Sequence, residues 1–181
     1  TAGAIAAAVG ACLPEGAIVA DEGNTSGIWS ALSTAGAPRH DWLTLTGGAI
    51  GIGMPLATGA AVACPDRRVL NLQADGSAMY TLQALWTQAR EGLNVTTVIF
   101  DNQSYAILDM ELDRVGAAMR GPIATSMFDL SRPPLDFAAL ADGMGVPATR
   151  VTTAEEFTIA LERSFATPGP FLIDALIPGP R

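Results

Sequence analysis

Three short polar segments carry most of the side chains that could do chemistry. They are Asp-Glu-Gly-Asn-Thr-Ser-Gly at 21–27, Ala-Asp-Gly-Ser at 74–77 and Asp-Asn-Gln-Ser-Tyr at 101–105. Asp75 and Asn102 offer the hard oxygen atoms that Mg²⁺ or Ca²⁺ prefers, with water and a phosphate completing the coordination. Gly76 and Ser77 open a predicted helix, where backbone N–H groups can bind that phosphate. The segments therefore predict a site for a divalent metal and an anionic ligand.

The elements that must position these segments are predicted to be parallel strands. Six apolar runs are typical of strands, several of them continuous as in strands buried on both faces: 17–20, 42–45, 69–72, 95–100, 148–151 and 171–177. Helical patterns lie between most of them. This alternation predicts an α/β fold, a doubly wound, mostly parallel six-stranded sheet with helices on both faces. Ligands bind at the carboxyl ends of such strands, where the polar segments lie.

Two helical patterns are clear. After Gly76, the spacing of five apolar residues predicts one helix with a single buried face: Ala78, Leu82, Leu85, Trp86 and Ala89. Thr153-Ala-Glu-Glu156 predicts a capping box, followed by a second apolar face of Phe157, Ala160, Leu161 and Phe165. Residues 110–134 are the least regular stretch and are expected to form a loop over the site.

The composition restricts the class of protein. The formal net charge is −8, and the ten basic residues are scattered, which argues against a nucleic-acid partner. An acidic chain must bind an anion locally, through amides, helix N-termini or a metal. Residues 42–65 contain no charge and are long enough to cross a bilayer, but they are diluted by glycine. We therefore expect a buried loop and helix there, and no membrane span.

The length of 181 residues predicts a single domain spanning 1–181. The chain begins at Thr1 in an Ala-rich helix with no basic segment before it, so we expect a piece of a longer protein without a signal peptide. Cys12 and Cys64 form no metal or disulfide pattern, which favours a reduced, cytoplasmic location. With His40 as the only histidine, a histidine-based triad or zinc site cannot be built within this chain.

The spacing of Asp75 and Asn102 resembles the signature of thiamine-diphosphate enzymes, which is Gly-Asp-Gly followed further along by Asn-Asn. The run Gly47–Pro55 and the helix after Gly76 also resemble acetolactate synthase-like and benzoylformate decarboxylase-like members. Two positions depart from the signature, because Ala74 and Asp101 replace its first glycine and first asparagine. The resemblance covers 17–177 and implies the C-terminal, diphosphate-binding domain of such an enzyme.

The resemblance implies a role for each site residue. Asp75, the Asn102 side chain and the Ser104 carbonyl would bind the metal, Mg²⁺ or Ca²⁺. The groups implied to hold the diphosphate are Gly76, Ser77, the Tyr105 amide, Asn24, Thr25 and Ser26. Gly48 would offer its carbonyl to the aminopyrimidine, and Ile50 would hold the cofactor in its bent form. No catalytic residue is identified, because the activating glutamate belongs to a pyrimidine-binding domain, on a neighbouring subunit of a homodimer or tetramer.

Several functions remain open at this point. The resemblance favours a thiamine-diphosphate-dependent 2-oxo acid carboligase of the acetolactate synthase kind, with a 2-oxo acid decarboxylase as the alternative. A non-catalytic relic or assembly module of the same fold is a second class of protein, although such a relic has no reason to keep Asp75 and Asn102. A nucleotide-binding domain is a third class. Gly51-Ile-Gly53 suggests it, but Leu56 stands where its third glycine should be.

Overall fold

The six strands of the described residues form one parallel sheet. The computed structural model describes residues 1–117 and 121–179. The strands are β1 (Ile18–Glu22), β2 (Asp41–Thr44), β3 (Val69–Ala74), β4 (Val95–Asp101), β5 (Ala148–Val151) and β6 (Phe171–Leu176). Their order is β2-β1-β3-β4-β6-β5, and every neighbouring pair is parallel. The predicted strands are confirmed, and β1 and β3 extend two residues further at their carboxyl ends.

Helices cover both faces of the sheet, as predicted. They are α1 (Ala2–Cys12), α2 (Asn24–Gly27), α3 (Ser30–Ser33), α4 (Gly53–Ala63), α5 (Asp75–Ala78), α6 (Ala84–Glu91), α7 (Ala106–Arg114), α8 (Pro122–Ser126), α9 (Phe137–Gly143) and α10 (Ala154–Ala166). On one face, α1 and α10 pack on the core around Leu72 and Phe100. On the other, α4, α6 and α9 pack around Ile99 and beside Val69. The sheet is therefore buried on both sides.

The predicted capping box at the start of α10 is confirmed. The Thr153 hydroxyl accepts from the Glu156 amide at 3.1 Å, and the Glu156 carboxylate accepts from the Thr153 amide at 3.2 Å. Phe157 and Leu161 are buried below it. This reciprocal cap satisfies two backbone donors that the first helical turn leaves without partners.

The helix predicted after Gly76 is interrupted. It consists of α5 and α6, separated by a turn at 79–83. Leu82 and Leu85 are buried as expected, but the prediction for Trp86 was wrong, because its side chain is 52% exposed. The interruption changes the angular phase of the helix, so Trp86 leaves the buried face. Its ring lies instead under the Arg90 guanidinium, 4.9 Å from the ring centroid.

The glycine-rich stretch after β2 is also different from the prediction. Residues 46–50 form an exposed loop, and only Gly51 and the helix α4 behind it are buried to any extent. No helix among the described residues is long and apolar enough to cross a membrane. Of the irregular stretch 110–134, residues 118–120 lie outside the described residues, and the rest contains α8 and the end of α7, so the described part is more helical than its composition indicated.

Candidate functional site

The three polar segments meet at the carboxyl edge of the sheet. β1, β3 and β4 are consecutive in the sheet, and the direction of the connections reverses beside β1: the chain runs from β1 to β2 on one side and then crosses back to β3 on the other. The Asn24 amide nitrogen donates to the Ser77 hydroxyl at 2.9 Å, joining the ends of β1 and β3. The Asn102 amide nitrogen donates to the Ser26 hydroxyl at 3.1 Å, joining β1 and β4. Such a switch point is where open α/β sheets bind ligands.

Asp75 is the buried carboxylate at the centre of this site, with 2% of its surface exposed. Its Oδ1 accepts from the Gly76 amide at 2.8 Å and its Oδ2 from the Gln103 amide at 2.7 Å. Burial raises the pKa of Asp75 to about 6, although these backbone amides lower it. Each oxygen retains a further lone pair, so the carboxylate can also coordinate a metal, which would offset the cost of its burial.

The backbone after β4 turns sharply to present the second group of oxygens. Gln103 has a φ of 58°, held by the bond from its amide to Asp75 and by the Leu130 amide donating to its carbonyl. The Asn102 side-chain oxygen accepts from the Ser104 amide at 2.9 Å. An unfavourable φ of this kind costs about 1–3 kcal/mol, so it persists only where the surroundings fix it, as at ligand sites.

The donor set fits a hard divalent cation. Within 1–117 and 121–179, no three His, Cys, Asp or Glu side chains lie close enough together to bind a metal. A cation here would therefore depend on one carboxylate, one amide oxygen and backbone carbonyl groups. Asp75 and Asn102 supply the first two, and Ser104 lies at an antiparallel bridge to Asp129 whose two hydrogen bonds do not use its carbonyl. An oxygen-only site completed by water and phosphate is typical of Mg²⁺.

Two of the implied phosphate donors already have acceptors within the protein. The Gly76 amide donates to Asp75, and the Tyr105 amide donates to the Phe128 carbonyl at 2.9 Å, as part of the bridge between 104 and 129. Both amides are therefore already engaged in this arrangement, and the roles implied for Gly76 and Tyr105 at the phosphate stay predictions. The Tyr105 ring packs against Gly76, since a Cβ at Gly76 would lie 2.5 Å from a ring carbon.

Gly48 and Ile50 lie in the exposed loop 46–50, which follows β2 at the same edge of the sheet. Gly48 has a φ of +71° with open space around its Cα, and Ile50 is 47% exposed. The Thr81 hydroxyl donates to the Gly51 carbonyl at 2.7 Å, which ties the end of this loop to the turn after α5. The loop is thus connected to the segment that carries Asp75.

Asp101, one of the two departures from the family signature, lies beside an arginine and a second buried carboxylate. It is buried beside Asp174, and its Oδ2 lies 3.6 Å from the Arg150 guanidinium, which also contacts Asp174 at 2.7 Å. Burial, and then the negative charge of Asp75, raise the pKa of Asp101, whereas Arg150 lowers it. The extra carboxylate is therefore balanced by a cation on β5, at the border of the site.

The sequence interpretation gave no role to a buried polar cluster beside the site. Glu22 accepts from the Gln73 amide nitrogen at 2.9 Å, and Asn71 lies on the same side of β3 as Gln73. All three residues are essentially inaccessible to solvent. The available signal was the pair Asn71 and Gln73, which are alternate polar positions within an otherwise apolar strand and so share one face.

Comparisons with known proteins agree with this geometry. Residues 21–175 match the family model described as "Thiamine pyrophosphate enzyme, C-terminal TPP binding domain". The chain is 63% identical to "Putative acetolactate synthase large subunit IlvX" of Mycobacterium tuberculosis over 94% of its length, and 33% identical to chloroplastic acetolactate synthase 2 of Zea mays over 90%. It covers 33% and 26% of those two proteins.

A solved structure is similar over almost the entire chain. The thiamine diphosphate-dependent 4-hydroxybenzoylformate decarboxylase of Rhodococcus jostii RHA1 has a TM-score of 0.88 and 31% identity, and the match covers 99% of this chain and 33% of that one. The chain thus spans about a third, or less, of the length of these relatives. The chain belongs to the thiamine pyrophosphate enzyme family, in which it corresponds to the C-terminal domain that binds the cofactor together with a divalent metal ion.

Proposed function

We propose that this chain is the diphosphate- and metal-binding domain of a 2-oxo acid carboligase of the acetolactate synthase kind. The observation that carries the proposal is the joining of three strand ends around Asp75. The bonds from Asn24 to Ser77 and from Asn102 to Ser26 place amide and hydroxyl groups around one buried carboxylate. The curated relatives at 63% and 33% identity carry names of acetolactate synthases, which supports the carboligase assignment.

The residues of this chain bind and orient the cofactor. Asp75, Asn102 and the Ser104 carbonyl would hold Mg²⁺, which would supply the positive charge that a diphosphate needs in a chain of net charge −8. The groups that line the diphosphate are Asn24, Thr25, Ser26 and Ser77. Gly48 and Ile50 would contact the aminopyrimidine half of the cofactor, and Ile50 would set the conformation in which the cofactor is held. When bound, thiamine diphosphate supplies the carbon centre that adds to the carbonyl of a 2-oxo acid and allows carbon dioxide to leave.

The other domain of the site is proposed to be a pyrimidine-binding domain from a neighbouring subunit of a homodimer or tetramer. Each strand end at the site is followed within a few residues by exposed large apolar side chains: Ile28 and Trp29 after β1, Met79 and Tyr80 after β3, and Ile107 and Leu108 after β4. Large apolar side chains exposed beside a site favour an interface with another domain. Because that domain supplies the activating glutamate, residues 1–181 alone should bind cofactor weakly and catalyse no turnover.

Calorimetry on the full-length protein tests the cofactor site. Thiamine diphosphate should bind only when Mg²⁺ is present, and Asp75→Ala should abolish this metal-dependent binding. Asp142→Ala, which removes an exposed carboxylate from α9, is the matched control and should bind like the wild type. If the wild-type protein shows no metal-dependent binding, the proposal is wrong and the fold serves assembly alone.

A 2-oxo acid decarboxylase is the second candidate. It is favoured by the match to the Rhodococcus decarboxylase, which at a TM-score of 0.88 extends over 99% of this chain. Both activities release carbon dioxide, so the products must be compared. With pyruvate as substrate, a carboligase gives acetolactate, whereas a decarboxylase gives free acetaldehyde. Aldehyde as the major product, with pyruvate or with benzoylformate, would replace the first candidate by the second.

A further inference from the structure

The buried carboxylate of Glu22, at the end of β1, accepts hydrogen bonds from the backbone where the loop 46–50 joins α4. Glu22 is 1% exposed. Its Oε1 accepts from the Gly51 amide at 2.5 Å, its Oε2 accepts from the Gly53 amide at 2.6 Å, and Gln73 donates to Oε2 at 2.9 Å. The three donors are neutral amides, and charge-assisted hydrogen bonds to a carboxylate are about twice as strong as neutral ones.

The two glycines whose amides donate to Glu22 cannot readily be replaced. Gly51 has a φ of +84°, and a Cβ there would lie 2.7 Å from the Cβ of Tyr80. A Cβ on Gly53 would lie 2.9 Å from the Cβ of Glu22. The carboxylate therefore reaches the backbone only because side chains are absent at both positions. On the opposite side, the Thr81 hydroxyl holds the Gly51 carbonyl, so this peptide is fixed from two directions.

Glu22 also replaces a missing helix cap. α4 begins at Gly53, and the residue before it, Ile52, provides no side-chain hydrogen bond to the first turn. The amides at the start of a helix need acceptors, and an anion is favoured there by the helix dipole. Glu22 reaches this point from a strand, 31 positions earlier in the chain. The start of α4, and with it the end of the loop, is thereby fixed to the sheet.

We propose that Glu22 is a positioning residue that sets the loop carrying Gly48 and Ile50 against the cofactor. The proposal rests on the proposed function, because the roles of Gly48 and Ile50 do. Glu22 acts through the Gly51 peptide, which is adjacent to Ile50, and within residues 1–117 and 121–179 its side-chain hydrogen bonds go to Gly51, Gly53 and Gln73, which are neither the proposed metal ligands nor the groups proposed to line the diphosphate. Its removal should therefore leave cofactor affinity nearly unchanged and impair the conformation in which the cofactor is held.

Glu22→Gln in the full-length protein separates these two effects. Glutamine has one acceptor oxygen, so one of the two glycine amides loses its partner and faces an NH₂ group. We expect the hydrogen exchange of whichever glycine amide loses its acceptor, Gly51 or Gly53, measured by NMR without cofactor, to accelerate by about tenfold or more, which is the effect of ~1.4 kcal/mol. With thiamine diphosphate and Mg²⁺, deuterium exchange at the thiazolium C2 should slow by a similar factor, while calorimetric affinity changes by less than about threefold.

Two further variants make the test specific. Thr81→Val removes the other bond to the Gly51 peptide without altering the buried charge, and should slow C2 exchange in the same way. Thr58→Val is the matched control, because it breaks the bond from Gln88 to α4 without touching the loop, and should leave C2 exchange at the wild-type rate. Thr81→Val also allows the test if Glu22→Gln fails to fold.

The outcomes distinguish this proposal from the proposed function. If the wild type binds cofactor and both loop variants exchange C2 deuterium at the wild-type rate, Glu22 does not position the loop, although the function stands. If Glu22→Gln loses affinity and exchange in parallel, or if Thr58→Val slows exchange equally, the positioning role is also refuted. If the wild type does not bind cofactor, the proposed function fails. In that case, unchanged hydrogen exchange of the glycine amides in Glu22→Gln would also show that Glu22 does not hold the end of the loop.

Discussion

Replacing Arg150 by Met should destabilise the chain by about 2–4 kcal/mol at neutral pH. Arg150 bonds Asp174 at 2.7 Å through two nitrogens and lies 3.6 Å from Asp101, and both carboxylates are buried. Removing one partner of a buried ion pair costs about 3–5 kcal/mol. We reduce that value because the Arg150 side chain is 36% exposed, so water can partly solvate the carboxylates once it is gone.

The loss of stability caused by Arg150→Met should depend on pH. Burial raises the pKa of Asp174 to about 6 even though Arg150 lowers it, and the pKa will rise further in the variant. A carboxyl group whose pKa is higher in the folded than in the unfolded state favours folding at low pH. This contribution is lost as the pH rises from the pKa of the unfolded state through the pKa of the folded state. The loss of unfolding free energy in Arg150→Met relative to the wild type should therefore be small near about pH 4 and largest above the pKa of Asp174 in the folded state.

Urea unfolding of the purified chain, followed by tryptophan fluorescence, measures this difference. Arg163→Met is the matched control, since Arg163 is exposed and lies over the Phe171 ring without bonding a buried carboxylate in the described structure. It should cost no more than about 1 kcal/mol. A deficit for Arg150→Met that equals the control, or that does not change between about pH 4 and about pH 7.5, would refute the ion-pair reasoning.

Three further predictions concern the site and its framework. Because burial raises the pKa of Asp75 to about 6, Mg²⁺ affinity measured by calorimetry should fall up to about tenfold for each pH unit below that value, and a flat profile would contradict the ligand assignment. Gly76→Ala should cost about 1–3 kcal/mol in urea unfolding through its clash with the Tyr105 ring, and unchanged stability would show that the ring moves aside. Thr153→Ala should cost about 0.5–2 kcal/mol and leave Mg²⁺-dependent cofactor binding intact, so a loss of binding would contradict a purely structural cap.

Local sequence patterns determined most of the framework. The apolar runs identified the strands, because the central strands β3 and β4 are covered by helices on both faces and are therefore largely apolar. The capping box at Thr153 was readable because its two hydrogen bonds involve residues three positions apart. The helix after Gly76 was misread at Trp86, since its apolar spacing does not reveal that the helix is interrupted between Ala78 and Ala84.

For the candidate site too, one part could be predicted from the sequence and another part could not. The sequence by itself determined which residues could bind a metal and a diphosphate, because Asp75, Asn102 and the polar segment after β1 each follow a strand, and parallel strands end at one edge. Only the tertiary structure decided which groups remain available, since the Tyr105 amide is already paired with Phe128. It alone also identified Glu22 as the anchor of the loop after β2. That contact joins residues 29 and 31 positions apart, and no local pattern encodes a bond that forms only when separate elements pack together.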